Sequence, residues 1–406
     1  MSLMMKSRII VALVLFSGFS ASAQFSVEGY LSAPFQSAEI TGLAEQLDFV
    51  NTESFRSPLF REMEMRIRTK DFNASLDDVR LRLGFLNPME RRANKNYEST
   101  QTEYLEIKYA YEANLILANR YKQLVKHFYL TDYDALLEAE VIQLLAAYEQ
   151  IQMQEASFKE WAETDERILK KELEREDVNT SIEMTEHLIG EILGTKDAVH
   201  WDNFEVISVA RMQDVLLPDT ILLPKEVELA LKSYELDQKA YLIEKSESHS
   251  NIGYIQAEYD LENDEAFKDG LGFQLGVSIP LFNPDKPKLQ REKLDLLEQE
   301  YKVQEVIDEN SLDKYKLNEK FRRNIRSYLL LTERLDKLEL LSKNITYDDM
   351  EDFLAMINYH GNLRILKQES YLDCLNAYID ILALSGRLSE APYVNYISNE
   401  LRPFSF

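Results

Sequence analysis

Two stretches of this chain alternate with period two and then stop on the same dipeptide. In the first, FREMEMRIRTKDF (Phe60 to Phe72), Met63, Met65 and Ile67 interleave with Glu62, Glu64, Arg66 and Arg68. After the polar turn NASLDD (Asn73 to Asp78), Val79, Leu81, Leu83 and Phe85 interleave with Arg80, Arg82 and Gly84, and the run ends at Asn87-Pro88. In the second, Ile255, Ala257, Tyr259 and Leu261 interleave with Gln256, Glu258 and Asp260. The turn NDEAFKDG (Asn263 to Gly270) follows, and Leu271, Phe273, Leu275, Val277, Ile279 and Leu281 then lead to Asn283-Pro284. Alternation of this length predicts strands with one apolar and one polar face, so each stretch reads as a β-hairpin.

Four such strands cannot finish a structure alone. An isolated hairpin is barely stable in water, and a four-stranded sheet keeps two open edges. In lipid an open edge is prohibitive, and closed membrane barrels begin at about eight strands. If these hairpins enter a membrane, several chains must share one barrel. Val79, Leu81, Leu83, Phe85, Leu271, Phe273, Leu275 and Val277 then face lipid. Glu62, Glu64, Arg66, Arg68, Arg80, Arg82, Glu258 and Asp260 then face a wet lumen. Register is firmly specified, because an arginine on the lipid side near the midplane would cost about 2–4 kcal/mol.

After each Asn-Pro the period changes. No proline or glycine occurs from just beyond Pro88 to about Ala162, and Tyr97, Tyr104, Tyr111, Ala118 and Val125 recur every seven residues. The same holds from just beyond Pro287 to about Tyr359, where Leu331, Leu335, Leu338 and Ile345 follow 4, 3 and 7 spacing. Heptad recurrence predicts coiled-coil packing, and some 72 residues at ~1.5 Å each give a helix of roughly 110 Å. Each helix is then expected to turn and return, since DERILKKELE (Asp165 to Glu174) resembles NLRILKQES (Asn362 to Ser370). The turns are placed near Glu163 to Glu166 and at Gly361. Counted from Arg167 and Arg364, the return helices run 27 residues to Gly194 and 22 to Gly386. The chain thus reads as one unit of roughly 200 residues written twice. Pro218, Pro224 and a helix from Lys225 to about His249 join the halves.

Lys6 and Arg8, an apolar Ile9 to Phe19 and Ala21-Ser22-Ala23 before Gln24 form an export signal. Its removal shifts the formal charge from -25 to -27, as two cations leave. Nothing later offers ~20 uncharged apolar residues for a membrane helix. The acidity excludes a nucleic-acid surface, since no basic stripe exists to meet phosphates. The one cysteine, Cys374, allows no internal disulfide, reads as a core residue, and leaves no lipid anchor at the cleavage site. The histidines at 127, 187, 200, 249 and 360 are scattered, with no HExxH, no GxSxG and no GxxxxGK[ST]. No enzyme, cofactor or metal site is expected. Asn73-Ala74-Ser75 and Asn344-Ile345-Thr346 match the glycosylation acceptor, too common a pattern to use. A rival reading is a soluble periplasmic coiled-coil structural or adaptor protein, its hairpins packed on its own helices. It explains the alternation equally well but leaves a helix of that length with no sheet to cover. A periplasmic hydrolase is a third reading, without a catalytic constellation.

RSPL (Arg56 to Leu59), LGVSIPLFNP (Leu275 to Pro284), LSKNITYDDMEDFLAMINYHGNLRIL (Leu341 to Leu366) and the Leu-Gly and Ser-Gly that close the return helices resemble the TolC-like outer membrane efflux protein family. The likeness covers nearly the whole mature chain and rests on order, duplication and length. IPLFNP looks most like the branch that works with metal or drug exporters. The resemblance implies a mainly α fold with β-hairpins: a long α-helical coiled-coil barrel plus a membrane β-barrel shared by a trimer, four strands per chain. It implies outer-membrane lipid, a periplasmic adaptor and an inner-membrane transporter as partners, with far tips near Glu163–Arg167 and Tyr359–Leu363.

Three places depart from the family. The segment 24–57 is short for the helix expected there, the return helices are short, and the tip aspartates are shifted. Counted from Gly361, the stretch reads Lys367, Gln368, Glu369, Ser370 and Asp373. Glu369 and Asp373 are the candidate gate carboxylates, with Tyr359, Gly361, Arg364 and Arg167 at the tips. The expected organisation is a signal at 1–23, an N-terminal periplasmic segment at 24–57, hairpins at 58–88 and 251–284, helical hairpins at 89–194 and 285–388, an inter-repeat region at 195–250, and a tail at 389–406.

Overall fold

The computed structural model describes residues 24–35, 37–53, 59–68, 78–153, 158–195, 200–201, 204–216, 223–248, 252–260, 271–278, 285–342 and 350–405. The signal at 1–23, Arg56 to Pro58, both hairpin turns, the second Asn-Pro, Pro218 and the acceptors at Asn73 and Asn344 lie outside the described residues. In chain order the described elements are β1 (Gln24–Phe25), α1 (Val27–Leu31), α2 (Ala38–Thr52), β2 (Phe60–Arg68), β3 (Asp78–Phe85), α3 (Pro88–Met153), α4 (Phe158–Leu193), β4 (His200–Trp201), α5 (Val209–Leu216), α6 (Lys225–Ser248), β5 (Ile252–Asp260), β6 (Leu271–Ser278), α7 (Lys286–Ser342) and α8 (Met350–Leu384). The chain divides into two compact units. One, here the sheet unit, holds residues 37–113 and 222–313; the other, the helical unit, holds the rest.

In the sheet unit the two hairpins join into one antiparallel sheet in the order β2-β3-β5-β6. The seam is β3 against β5, with Leu81 opposite Ala257 and Leu83 opposite Ile255. A bulge between Phe60 and Glu62 is the irregularity in β2. Helix α3 starts where the sequence places it. Asn87 Oδ1 accepts the Met89 N–H at 3.0 Å, and Pro88 opens the first turn, where its missing N–H costs nothing.

The helical unit has a deep core. Leu117, Leu124, Ile189, Ile207, Met212, Tyr378, Ile379 and Leu382 are fully buried, and Cys374 lies among them with its thiol pushed up to about 12 by burial. The ends of the chain close this core. Arg120 of α3 donates to the carbonyls of Leu31 (2.8 Å), Ala33 (2.7 Å) and Pro34 (3.1 Å), which satisfies the end of α1. In the tail, Val394 O accepts from Tyr121 Oη at 3.0 Å, Tyr396 O accepts from Tyr378 Oη at 3.1 Å, and Ile397 O accepts the Ile207 N–H at 2.8 Å. Asn395 Nδ2 reaches Glu28 Oε1 at 2.8 Å. The last described residues of the tail pack back on it: Pro403 bridges Val394, and Phe404 packs on Tyr393.

Both expected helix turns need correction. Helix α3 ends at Met153 and α4 begins at Phe158, so Glu163 to Arg167 lie inside α4. The pairs confirm an antiparallel hairpin centred between them: Arg175 Nε meets Asp134 Oδ1 at 2.8 Å, and Lys171 Nζ meets Glu140 Oε2 at 3.1 Å. Likewise α7 ends at Ser342 and α8 begins at Met350, which puts Tyr359 to Leu363 inside α8. The return helices are consequently 36 and 35 residues long, not 27 and 22. Gly361 breaks no helix. A Cβ there would collide with the Glu140 carboxylate, so this glycine serves the close approach of α3 to α8.

Candidate functional site

The sheet has two chemically opposite faces. Cross-strand register places Met65, Leu81, Ala257 and Phe273 in one row, with Met63, Leu83, Ile255, Leu275 and Ile67, Val79, Tyr259, Leu271 as its neighbours. Phe85 closes this face opposite Phe60, ring centroids 5.3 Å apart, and the Val277 backbone pairs with Gly253. The face is left open: Met63 is 72% exposed, and Phe273 and Leu275 are 75% exposed. Among the described residues neither β2 nor β6 has a partner on its outer edge. Among the described residues, Met63, Met65, Phe273 and Leu275 of this face thus lie largely uncovered, an apolar patch of the kind that marks an interaction surface.

The opposite face carries the charges, and they neutralise one another. Its rows are Arg68, Asp78, Asp260; Arg66, Arg80, Glu258, Gly272; Glu64, Arg82, Gln256, Gln274; and Glu62, Gly84, Tyr254, Gly276. Arg80 Nη2 lies 3.1 Å from Asp78 Oδ2 and 2.6 Å from Glu258 Oε1, between carboxylates of two rows. Arg66 Nε reaches Glu64 Oε1 at 2.7 Å, and Arg82 Nη1 stands 4.0 Å from Glu64 Oε2. Arg66 and Arg80 sit directly opposite each other, a like-charge pair tolerated because each has its own carboxylate. Four arginines meet five carboxylates on this face. A wall built of this face therefore carries little net charge.

The helix-borne candidates lie apart from the helix ends. Tyr359 and Arg167 are each nine residues into their helices, about 14 Å from the start at 1.5 Å per residue. Arg364 lies further along α8, half-buried, one residue beyond the buried Leu363. Arg167 borders a cavity of about 150 Å³ with Glu140, Lys170, Lys171 and Asn358. Glu369 and Asp373 stand 19 and 23 residues from Met350, so counting them from a turn at Gly361 misplaced them. They share one exposed face of α8, an i, i+4 pair backed by the buried Ser370 and Cys374. Burial pushes the Tyr129 hydroxyl up to about 12, and the charges of Glu369, Glu174 and Asp373 add to it. Burial also raises the neighbouring Tyr133, which donates to Glu174. Asp132 is raised by burial as well, and it accepts from Gln368 Nε2 at 2.9 Å. The structure thus groups Glu369 and Asp373 with acidic and phenolic neighbours that the sequence did not single out.

Two further residues were missed. Tyr254 lies across the place where a Gly276 side chain would stand, and the Arg82 guanidinium covers its ring at 3.9 Å from the centroid. The alternation did carry a signal, since Gly84, Gly272 and Gly276 all fall on the polar face, but only register links Gly276 with Tyr254.

No family model and no curated protein matches the chain. Solved structures do. The chain resembles CusC, studied for the conformational changes that accompany folding and transmembrane channel formation, with a TM-score of 0.60 at 10% identity over 89% of this chain and 92% of that one. It resembles the MtrE outer membrane channel of Neisseria gonorrhoeae in its open state, with a TM-score of 0.60 at 11% identity over 89% and 88%. The outer membrane protein VceC of Vibrio cholerae gives 0.55 at 11% identity over 89% and 93%. Likeness at such identity is one of fold. The chain has the fold of the TolC-like outer membrane channels: helices in long hairpins and a small four-stranded antiparallel sheet.

Proposed function

We propose that this chain is the outer-membrane duct of a tripartite export or efflux system in a Gram-negative bacterium. Three copies share one barrel, β6 of each pairing with β2 of the next, which removes every open edge. The apolar face meets lipid, and the charged face walls the lumen. The helical hairpins form a periplasmic tunnel whose ends meet an adaptor and an inner-membrane transporter. Transport through the chain is passive, with energy supplied by the pump. Glu369 and Asp373 act as carboxylates of the tunnel wall, some way from its tip.

The observation that carries this reading is the two-faced sheet, open at both edges and uncovered on its apolar side, in a chain with the fold of outer membrane channels. The test is fractionation with an alkaline wash, followed by native mass measurement in detergent. A wash-resistant trimer in the outer membrane is the expected result. A washed-off monomer or dimer would sink the proposal and leave the soluble coiled-coil reading. Aspartate at Leu81 and Val277 should abolish membrane retention while the helices stay folded.

A further inference from the structure

The row Glu62, Gly84, Tyr254, Gly276 crosses all four strands at the end of the sheet where β3 runs into α3 and α6 runs into β5. Its one aromatic ring does not stand up from the sheet. A Cβ on Gly276 would lie well inside van der Waals contact of the Tyr254 ring, within 2.5 Å of its hydroxyl. The ring thus lies flat in the space a side chain would fill. Arg82 covers it, the guanidinium carbon 3.9 Å from the ring centroid, close enough for a favourable cation–π contact. On its other strand neighbour the row is again a glycine: a Cβ on Gly84 would meet Glu62 Cγ at 3.0 Å. The space at Gly84 is thus taken by Glu62, and it is the missing side chain at Gly276 that lets the Tyr254 ring lie down.

On the reading of this face as a channel wall, the arrangement sets an aperture. We infer that Gly276 holds Tyr254 folded against the wall, and that this pair is a width-determining element of the duct at the helix-proximal end of the barrel. Any side chain at 276 must displace the ring, because the obstructing atoms are its far end and not backbone. With the sheet beneath it, the ring can only move away from the wall, carrying the Arg82 guanidinium that covers it, three times around a trimeric lumen. The solutes affected are bulky ones, whose passage depends on bore more than on charge.

Single-channel conductance in planar bilayers, with uptake of large uncharged polymers to size the bore, tests this. Full-length wild type is compared with Gly276→Ala, Tyr254→Ala and the double variant. The expected result is a lower conductance and a smaller size cut-off for Gly276→Ala, little loss for Tyr254→Ala, and recovery in the double variant. A merely structural role for the pair would lower heat stability in Gly276→Ala and leave the conductance of each channel unchanged, and that result overturns the inference. So does a double variant that stays narrow. A wild-type protein that forms no channel at all would instead remove the duct reading, and the aperture with it.

Discussion

The same helix, α3, shows what separates the two units. Its heptad stripe begins with Tyr97, Tyr104 and Tyr111, all half-buried in the sheet unit, and continues with Ala118 and Val125, both buried in the helical unit. One repeating pattern thus meets two environments. In the helical unit the chain supplies its own cover: α1, the segment after β4 and the tail fold over α3 and α8. In the sheet unit Met63, Met65, Phe273 and Leu275 of the strands stay largely exposed among the described residues. A period states that a face exists, and only the rest of the molecule states what covers it. The helical unit buries a core of its own yet leaves Met153, Phe158 and Met184 exposed along its hairpins, while the sheet unit exposes most of one strand face.

That contrast can be broken by substitution. The largest effect is expected from Leu81→Arg, which costs about 2–4 kcal/mol per chain if the residue sits near the lipid midplane, repeated around the barrel. Recovery in alkaline-washed membranes should collapse, with helical circular dichroism preserved. If Leu81→Arg stays in the membrane fraction, the apolar face does not meet lipid. Leu117→Ala should do the reverse. Leu117 is fully buried, so its truncation should cost about 2–5 kcal/mol in denaturant unfolding, with membrane retention unaffected.

Acid should sharpen the comparison, because His127 of the helical unit and Asp237 of the sheet unit respond with opposite sign. His127 of the helical unit is 5% exposed, its Nδ1 has no partner, and burial holds its pKa below 6.5. A folded-state pKa below the unfolded one means the stability tied to neutral His127 is lost as pH falls through 6.5 and below. In the sheet unit, burial raises Glu90, Glu98 and Asp237. These groups bind protons more tightly folded than unfolded, so that unit gains stability as pH falls through their raised values toward the ordinary carboxylate range. Hydrogen exchange followed along the chain as the pH is lowered from neutral toward the carboxylate range, corrected for intrinsic rates, should show α1 and β1 loosening while α6, which carries Asp237, tightens. His127→Gln should remove only the loosening. Parallel changes in both units would refute the opposed signs. The smallest effect concerns charge: with four arginines against five carboxylates on the polar face, reversal potentials in a salt gradient should reveal only weak cation preference. Strong selectivity would place the deciding charges on the helices.

What was legible in the sequence was local. Period two gave the strands and both faces, and Asn87-Pro88 gave the start of α3, because cap and helix lie within three residues. The limits of the described helices were missed because the stretches between them, Gln154 to Ser157 and Lys343 to Asp349, contain neither glycine nor proline. Gly361 misled for the complementary reason: it answers to Glu140, a residue distant in sequence, and not to its own backbone. Tyr254 over Gly276, Arg120 on α1 and Tyr121 on the tail are likewise long-range facts, invisible without register or packing. The acidic neighbours of Glu369 and Asp373 come from two other helices, so no spacing could have announced them.

The tail has a consequence for how such a chain is made. Residues 394–397, which tie Tyr121, Tyr378, Ile207 and Glu28 together, follow every helix in chain order. A ribosome has therefore delivered all eight helices before it delivers the clasp. Until then Tyr121 and Tyr378 lack the carbonyls they bind. Synthesis that stops short near residue 390 yields a chain with every described α-helix but without the segment that clasps its core.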